Sequence, residues 1–249
     1  MIVYDANNWL RVQLERDFTG LGMRLCWSEA TKQDNELRIF AFDGVNANAL
    51  RRAFYPEYKM TRKLPQDSFF ENLSFFKELL RNAPANVAVA EKQGYEGDDV
   101  IYTVCKMFSN SPKPITIMSS DKDLTAIPNT VLPMANQDFC QKKYVRLYKT
   151  LVGDPSDNIK GVKGFGKGSW DKLTEMDKED LLRWFESGLS DELTLSVNPK
   201  LWDIIRRQPE DELKKNWIIT GFFDVPNLEL KFGDGHIEIA EQKLKELLI

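Results

Sequence analysis

Nine carboxylates draw attention by where they fall: Asp5, Asp43, Glu96, Asp98, Asp99, Asp121, Asp123, Asp154 and Asp157. The first seven end or follow short apolar runs, in MIVYDAN (1–7), LRIFAFDG (37–44), NVAVAEK (86–92) and ITIMSSDKD (115–123). A single aspartate in that position is commonly a turn former or a helix cap. Repetition alters the physics, because two carboxylates about 4 Å apart repel by roughly 1–4 kcal/mol depending on how wet the site is. A cluster of this size therefore needs a cation. Oxygen-only donors with no histidine or cysteine beside them suit a hard ion, Mg²⁺ or Mn²⁺ rather than zinc, and so many acids suit two ions better than one. Ions paired about 3.5–4 Å apart hydrolyse phosphodiesters, one activating a water and both stabilising the attacking and leaving oxygens.

The formal charge of −4 looks unfavourable for a nucleic-acid partner until those nine acids are set aside, which leaves 29 of the 38 acids against 34 Lys and Arg. The remainder is net basic. Its densest part is RRAFYPEYKMTRK, where Arg51, Arg52, Lys59, Arg62 and Lys63 interleave with Phe54, Tyr55 and Tyr58. Bases stacking beside a bound phosphate backbone would use that mixture, and so would a solvated basic face beside a core. The stretch GDPSDNIKGVKGFGKGSW (153–170) nearly spells the phosphate loop GxxxxGK[ST], but Gly168 occupies the hydroxyl position. No strand runs into its glycines, and the acids before them would repel a triphosphate. The one histidine, His236, lies in a polar FGDGH turn far from any nucleophile motif, which fits a surface residue better than a catalytic base. Cys26, Cys105 and Cys140 are odd in number and widely spaced, as expected of reduced, mostly buried thiols.

The elements that must position these groups alternate. Between the apolar runs, which include TVLPMA at 130–135, EGDDVIYTVCKMFSN reads as a helix opened by acids, and PQDSFFENLSFFKELLRNA carries Phe69, Leu73, Phe76 and Leu80 at helical spacing. Near-continuous apolar strands alternating with helices predict an α/β fold with a mostly parallel central sheet covered on both faces. Working groups gather beyond the carboxyl ends of such strands, so adjacent strands would turn the nine acids into one crevice. After about residue 150 the strands stop and DKEDLLRWFESGL, PKLWDIIRRQ, PEDELKKNWIITGFF and AEQKLKELLI read as helices. This predicts an α/β core over 1–150 and a helical subdomain over 151–249. No apolar run approaches the roughly 20 residues of a membrane span, and the N-terminus reads as a strand rather than a leader; a cytoplasmic, membrane-free protein is expected.

In order along roughly residues 1–175, VYDAN, FDG, YPEYKMTR, GYEGDD, SSDKDL and GDPSDNIKGVKGFG resemble the blocks of the structure-specific 5′ nucleases. That family includes flap endonucleases, bacteriophage 5′-3′ exonucleases and the 5′-nuclease domain of bacterial DNA polymerase I. The resemblance implies a PIN-like 5′-nuclease core, a helical arch or gateway over about 59–82, and a helix-three-turn-helix DNA-binding element over about 153–175. It implies Asp5, Asp43, Glu96 and Asp98 around a first metal and Asp99, Asp121, Asp123, Asp154 and Asp157 nearer a second. Lys59 would sit at the scissile phosphate, Arg62 beside it, and Tyr58 would stack on a base. Lys163, Gly164, Gly166 and Lys167 would meet duplex phosphates, and backbone carbonyls of Gly161, Val162, Gly164 and Gly166 would hold K⁺. Gly97 stands where the family usually has alanine, Trp170 where it usually has a small residue, and 124–150 matches poorly.

The activity so implied is metal-dependent 5′-3′ exonuclease or flap endonuclease cleavage of DNA at 5′ flaps, nicks or duplex ends, with RNA/DNA as a further substrate. A monomer serving replication or repair beside a separate DNA polymerase, in a bacterium or a bacteriophage-infected cell, is expected. A ribonuclease on the same acid-lined fold, a nucleotide hydrolase built around Lys167, and a non-catalytic junction-binding protein are the alternatives.

Overall fold

The four-residue apolar runs IVYD, RIFA, VAVA and ITIM are long enough for strands and too short for helices; the central RIFA and VAVA are buried on both faces, while ITIM alternates buried with partly buried positions. The computed structural model describes residues 1–15, 21–63, 65–135, 142–190 and 197–246. In chain order, β1 (Ile2–Asp5) leads into α1 (Ala6–Glu15) and α2 (Gly22–Ala30), and β2 (Arg38–Ala41) into the short α3 (Ala49–Phe54). Then come α4 (Asp67–Arg81), β3 (Val87–Ala90), α5 (Gly97–Met107), β4 (Ile115–Met118) and β5 (Thr130–Val131). The helices α6 (Val145–Val152), α7 (Lys167–Trp170), α8 (Glu175–Glu186), α9 (Pro199–Arg206) and α10 (Glu210–Ile219) precede β6 (Leu230–Phe232) and α11 (Ile237–Glu246).

The sheet runs β5-β4-β1-β2-β3-β6. Its first five strands are parallel, and β6 is antiparallel to β3. Connections from β1 to β2 to β3 move one way across the sheet and the return to β4 crosses to the other side of β1, so a topological switch point lies between β1 and β4. One face carries a continuous core in which Tyr4, Phe40 and Phe42 of the sheet meet Trp9, Met23, Phe76, Leu79, Leu80 and Ala240 from α1, α2, α4 and α11. Tyr4 and Phe40 stack at 4.4 Å, and Phe76 meets Phe40 edge-on at 5.4 Å. Val3, Ile39 and Ala88 alternate to the other face, and α5 packs along β1 and β2.

The chain forms two compact units, and they do not divide at residue 150. Met1–Ala47, Leu64–Asn136 and Phe223–Ile249 make the first; Asn48–Lys63 and Gln137–Phe222 make the second. The expectation that strands end by residue 150 is corrected by β6, whose pairing with β3 returns the C-terminal segment to the sheet unit. The expected strand at 130–135 is only Thr130–Val131. The second unit has its own core around Tyr144, Leu147, Phe165, Trp170, Leu181, Trp184, Phe185 and Ile205. Trp170 fits there by burial against Tyr148, ring centroids 5.1 Å apart. Among the described residues no helix is long and apolar enough to cross a membrane.

Candidate active site

The carboxyl ends of four adjacent strands, β4, β1, β2 and β3, present acids side by side. Asp5 ends β1 and opens α1: its Oδ1 accepts the Asn8 N–H at 3.1 Å, and its Oδ2 accepts the Ser119 hydroxyl at 2.8 Å. Ser119 follows β4, so this bond spans the switch point. The same Ser119 oxygen accepts the Asp121 N–H at 3.0 Å, and Asp121 Oδ1 accepts the Asp123 N–H at 2.9 Å, folding SSDKD back toward Asp5. Asn8 Oδ1 accepts from both the amide and the hydroxyl of Ser120 at 3.0 Å. On the β2 side, Asp43 Oδ2 accepts Asn7 Nδ2 at 3.0 Å and its Oδ1 accepts the Gly97 N–H at 2.6 Å, tying the end of β2 to the start of α5.

Burial above all, joined by the negative charges of Asp43 and Asp121, pushes the Asp5 carboxyl up to about 7 against the downward pull of the Ser119 hydroxyl and the Asn8 amide. Three carboxylates thus feel one another at the switch point. Among the described residues, however, no three acidic, histidine or cysteine side chains close into a shared metal-binding set. Glu96 is buried as the N-cap of α5 in a reciprocal capping box with Asp99. Asp99, expected among the metal acids, is fully buried, its Oδ2 accepting the Glu96 N–H at 3.3 Å and its Oδ1 the Phe223 N–H at 2.9 Å. It holds the turn that presents Glu96 and the half-buried Asp98. Gly97 is the first residue of α5, where a glycine escapes the penalty it carries in a helix interior.

The remaining expected residues lie in the second unit. There the turn after α6 is closed by reciprocal bonds between Asp154 and Ile159, both 2.8 Å. Gly153 and Gly161 flank it at φ +92 and +65; a Cβ on either would lie 2.5–2.6 Å from opposing backbone, which only glycine allows. Burial alone would raise Asp154, but Lys149 at 2.5 Å and the Ser156 hydroxyl and amide outweigh it and hold the carboxyl below its ordinary range. Lys59 Nζ lies 3.9 Å from Asp157 Oδ1 and 5.0 Å from the Tyr58 ring centroid. Arg62 and Lys63 are exposed beside it.

Two expected nucleic-acid contacts are corrected. Tyr58 is 2 % exposed, packed with Ile159 and Ile219, with its hydroxyl on Asp157 Oδ2 at 3.3 Å, so its ring has no face to offer a base. Arg51 is 4 % exposed and spends its guanidinium on the Ile219 and Gly221 carbonyls at the C-terminal end of α10, where a cation also meets the negative pole of the helix. Arg52 is exposed, with Nε on the Tyr58 carbonyl. Within the expected arch over 59–82, Phe76, Leu79 and Leu80 anchor the C-terminal half of α4 in the core of the sheet unit, while Asp67, Ser68, Phe70 and Glu71 at its start are exposed.

The glycine-rich turn follows helix α6 instead of a strand, against a nucleotide cradle. It buries Val162 and Phe165 and exposes Lys163, Gly164, Gly166 and Lys167, with Lys167 paired to Asp171 at 3.0 Å. The Val162 carbonyl accepts the Phe165 N–H, and that of Gly166 accepts the Ser169 and Trp170 N–H groups. Cys26 and Cys105 are buried; Cys140 lies outside the described residues. His236 is an exposed turn residue 3.6 Å from Glu238. Sequence reasoning missed Asn7, Asn8 and Ser119. Their polar character beside Asp5 and Asp121 was visible, but their task depends on β1 lying next to β4.

The family model for the 5′-3′ exonuclease, N-terminal resolvase-like domain, matches residues 20–150. DNA polymerase I of Caldicellulosiruptor bescii is 35 % identical over 155 residues, 54 % of this chain and 18 % of the polymerase. The 5′-3′ exonuclease of Mycoplasma pneumoniae is 28 % identical over 163 residues, 58 % of this chain and 55 % of the relative. The matched region thus spans between about a fifth and just over half of those relatives' own lengths. Among solved structures, T5 5′-exonuclease with bound divalent metal ions (zinc) aligns over 99 % of this chain and 98 % of its own at a TM-score of 0.60 and 16 % identity. The catalytic core of Rad2 in complex with DNA substrate aligns over 98 % of this chain and 85 % of its own, TM-score 0.53, 14 % identity. These two share the fold.

Proposed function

The chain belongs to the family of the 5′-3′ exonuclease N-terminal, resolvase-like domain, and from that premise we propose that it is a metal-dependent nuclease cleaving DNA at 5′ ends, flaps or nicks. The observation that carries the reading is the switch point itself: Asp5, buried and linked through Ser119 to Asp121, with Asp43 adding its charge. Repulsion between these oxygens and the desolvation of Asp5 are what a hard divalent cation relieves, so the donor set fits Mg²⁺ or Mn²⁺. Asp5, Asp43, Glu96, Asp98, Asp121 and Asp123 are assigned as ligands, together with Asp154 and Asp157 by the family pattern; Asp99 is assigned to positioning Glu96 and Asp98. When bound, such ions supply water activation and stabilisation of charge on the attacking and leaving oxygens.

The chain's own residues do the rest. Asn7, Asn8, Ser119 and the Gly97 amide fix carboxylate orientation in advance, so no reorganisation is needed as charge develops. Lys59 and Arg62 offset negative charge on the scissile phosphate, and hydrolysis leaves a 5′-phosphate and a 3′-hydroxyl. The segment over about 153–175, which holds the turn after α6 and α7, is proposed as the helix-three-turn-helix grip, with Lys163, Lys167 and the amides near Gly164 and Gly166 on duplex phosphates and K⁺ on the carbonyls of Gly161, Val162, Gly164 and Gly166. The exposed Lys163 and Lys167 favour an anion there. The same reading places the activity in DNA replication or repair.

Digestion of 5′-labelled flap, nicked and blunt duplexes, with and without millimolar Mg²⁺, tests the reading. Mg²⁺-dependent release of 5′-terminal fragments from DNA is expected. Cleavage confined to matched RNA substrates would favour the ribonuclease alternative, and tight junction binding without cleavage at any divalent metal would overturn the enzyme assignment.

A further inference from the structure

We propose that Asn158 and Tyr58 are positioning residues for Lys59, acting through a clasp between the turn at 55–60 and the turn at 154–159. The inference rests on the assignment of Lys59 to the scissile phosphate made above. Lys59 has φ +53, a left-handed conformation that costs a residue with a Cβ on the order of 1 kcal/mol. A surrounding structure must impose it. Four hydrogen bonds across the clasp do so: the Lys59 N–H donates to the Asp157 carbonyl at 3.0 Å, Asn158 Nδ2 to the Glu57 carbonyl at 2.8 Å, the Tyr55 hydroxyl to the Asn158 carbonyl at 3.1 Å, and the Tyr58 hydroxyl to Asp157 Oδ2 at 3.3 Å. The two turns thereby grip each other through residues 55–59 and 157–158.

The gripping turn is itself stiff. The reciprocal Asp154–Ile159 bonds close it, and Asn158 sits at φ +60, a region asparagine enters more readily than most residues. Tyr58 is buried beneath, so its hydroxyl reaches Asp157 from a fixed ring. The direction of the Lys59 side chain is therefore set by its backbone, and that backbone is set by residues 157–158. Tyr58, read from the sequence as a base-stacking residue, instead acts from inside the protein, and Asn158 gains a role that no spacing pattern suggested.

Asn158→Gly keeps the left-handed backbone and removes the donor to Glu57, while Tyr58→Phe keeps the ring and removes the hydroxyl. Each is expected to lower kcat on a 5′-flap duplex about three- to ten-fold, the worth of one hydrogen bond, with KM unchanged. Because the effect runs through Lys59, both losses should vanish in a Lys59→Ala background, whereas general damage to the site would multiply with that substitution. Amide hydrogen exchange gives a readout independent of cleavage: the Lys59 N–H, protected in the unaltered chain, should exchange about ten-fold faster in Asn158→Gly. Losses that persist beside Lys59→Ala, or full kcat in both single variants, would overturn the proposal. So would unchanged protection at Lys59 in both variants, whether or not the protein cleaves. Lack of cleavage by the unaltered chain with exchange behaving as expected would count against the proposed function and leave the clasp standing.

Discussion

Asp121 shows how much one side chain is asked to do. It shares Ser119 with Asp5 and caps the amide of Asp123, so its charge and its hydrogen bonds serve the same cluster. Asp121→Asn keeps the shape and removes the charge. Cleavage is expected to fall by at least about 10²-fold, the scale seen when a preorganised electrostatic group is lost, while duplex binding followed by fluorescence anisotropy stays within two-fold or so. Asp5, Asp43 and Asp121, which the fold brings to neighbouring strand ends, were legible in the sequence because each ends or follows an apolar run, and a run's end is a local feature. Arg51 and Tyr58 were misread for the opposite reason. Interleaved basic and aromatic residues look alike whether they face a nucleic acid or insert into a core, and only tertiary packing against Ile159 and Ile219 distinguishes the two.

At the level of elements, two bracing devices can be tested. The start of β2 is one. Arg38 is completely buried there and donates to both carboxylate oxygens of Asp34 at 2.6 Å. Hydrogen bonds from Arg38, against some desolvation, hold Asp34 down to about 2. A depressed carboxyl stabilises the fold above its unfolded value near 4 and loses that contribution as pH falls toward 2. Asp34→Asn should therefore lower the urea midpoint at pH 6 and differ less from the unaltered chain at pH 3; an equal difference at both would exclude the ion pair as the cause. The turn after α6 is the other. Gly161→Ala would force a Cβ to 2.5 Å from the Gly153 nitrogen at φ +65, and a loss exceeding about 2 kcal/mol by denaturant titration is expected. The helix over 67–81 was readable from its apolar spacing, but its commitment to the core was not: amphipathicity states that a face is buried and leaves open which partner buries it.

The molecule as a whole departs furthest from its linear reading. The alternation of strands and helices correctly indicated a parallel sheet, yet a boundary at residue 150 could not anticipate that the chain leaves the sheet unit twice and returns twice. A three-residue strand such as Leu230–Phe232 carries almost no periodic signal, and its place beside β3 is a long-range choice. Residues 223–249 supply β6, the Phe223 and Val225 amides to Asp99 and Thr103, and Ala240 and Leu244 to the core. A fragment ending at residue 150 is thus expected to lack a cooperative thermal transition by circular dichroism, where the full chain shows one; a fragment that melts cooperatively would show the returning segment to be dispensable.

That returning strand also sets a clock on synthesis. A ribosome releases β1 to β5 long before Leu230–Phe232, and until then β3 waits with an open edge, the kind of surface that pairs with a neighbouring chain. Asp99, which steadies the turn bearing Glu96 and Asp98, waits equally long for the Phe223 amide. The turn bearing Glu96 and Asp98 thus lacks its Phe223 brace, and the β3 edge its β6 partner, until residues 223–232 have been made, so that slow elongation across that stretch would lengthen the interval of greatest aggregation risk.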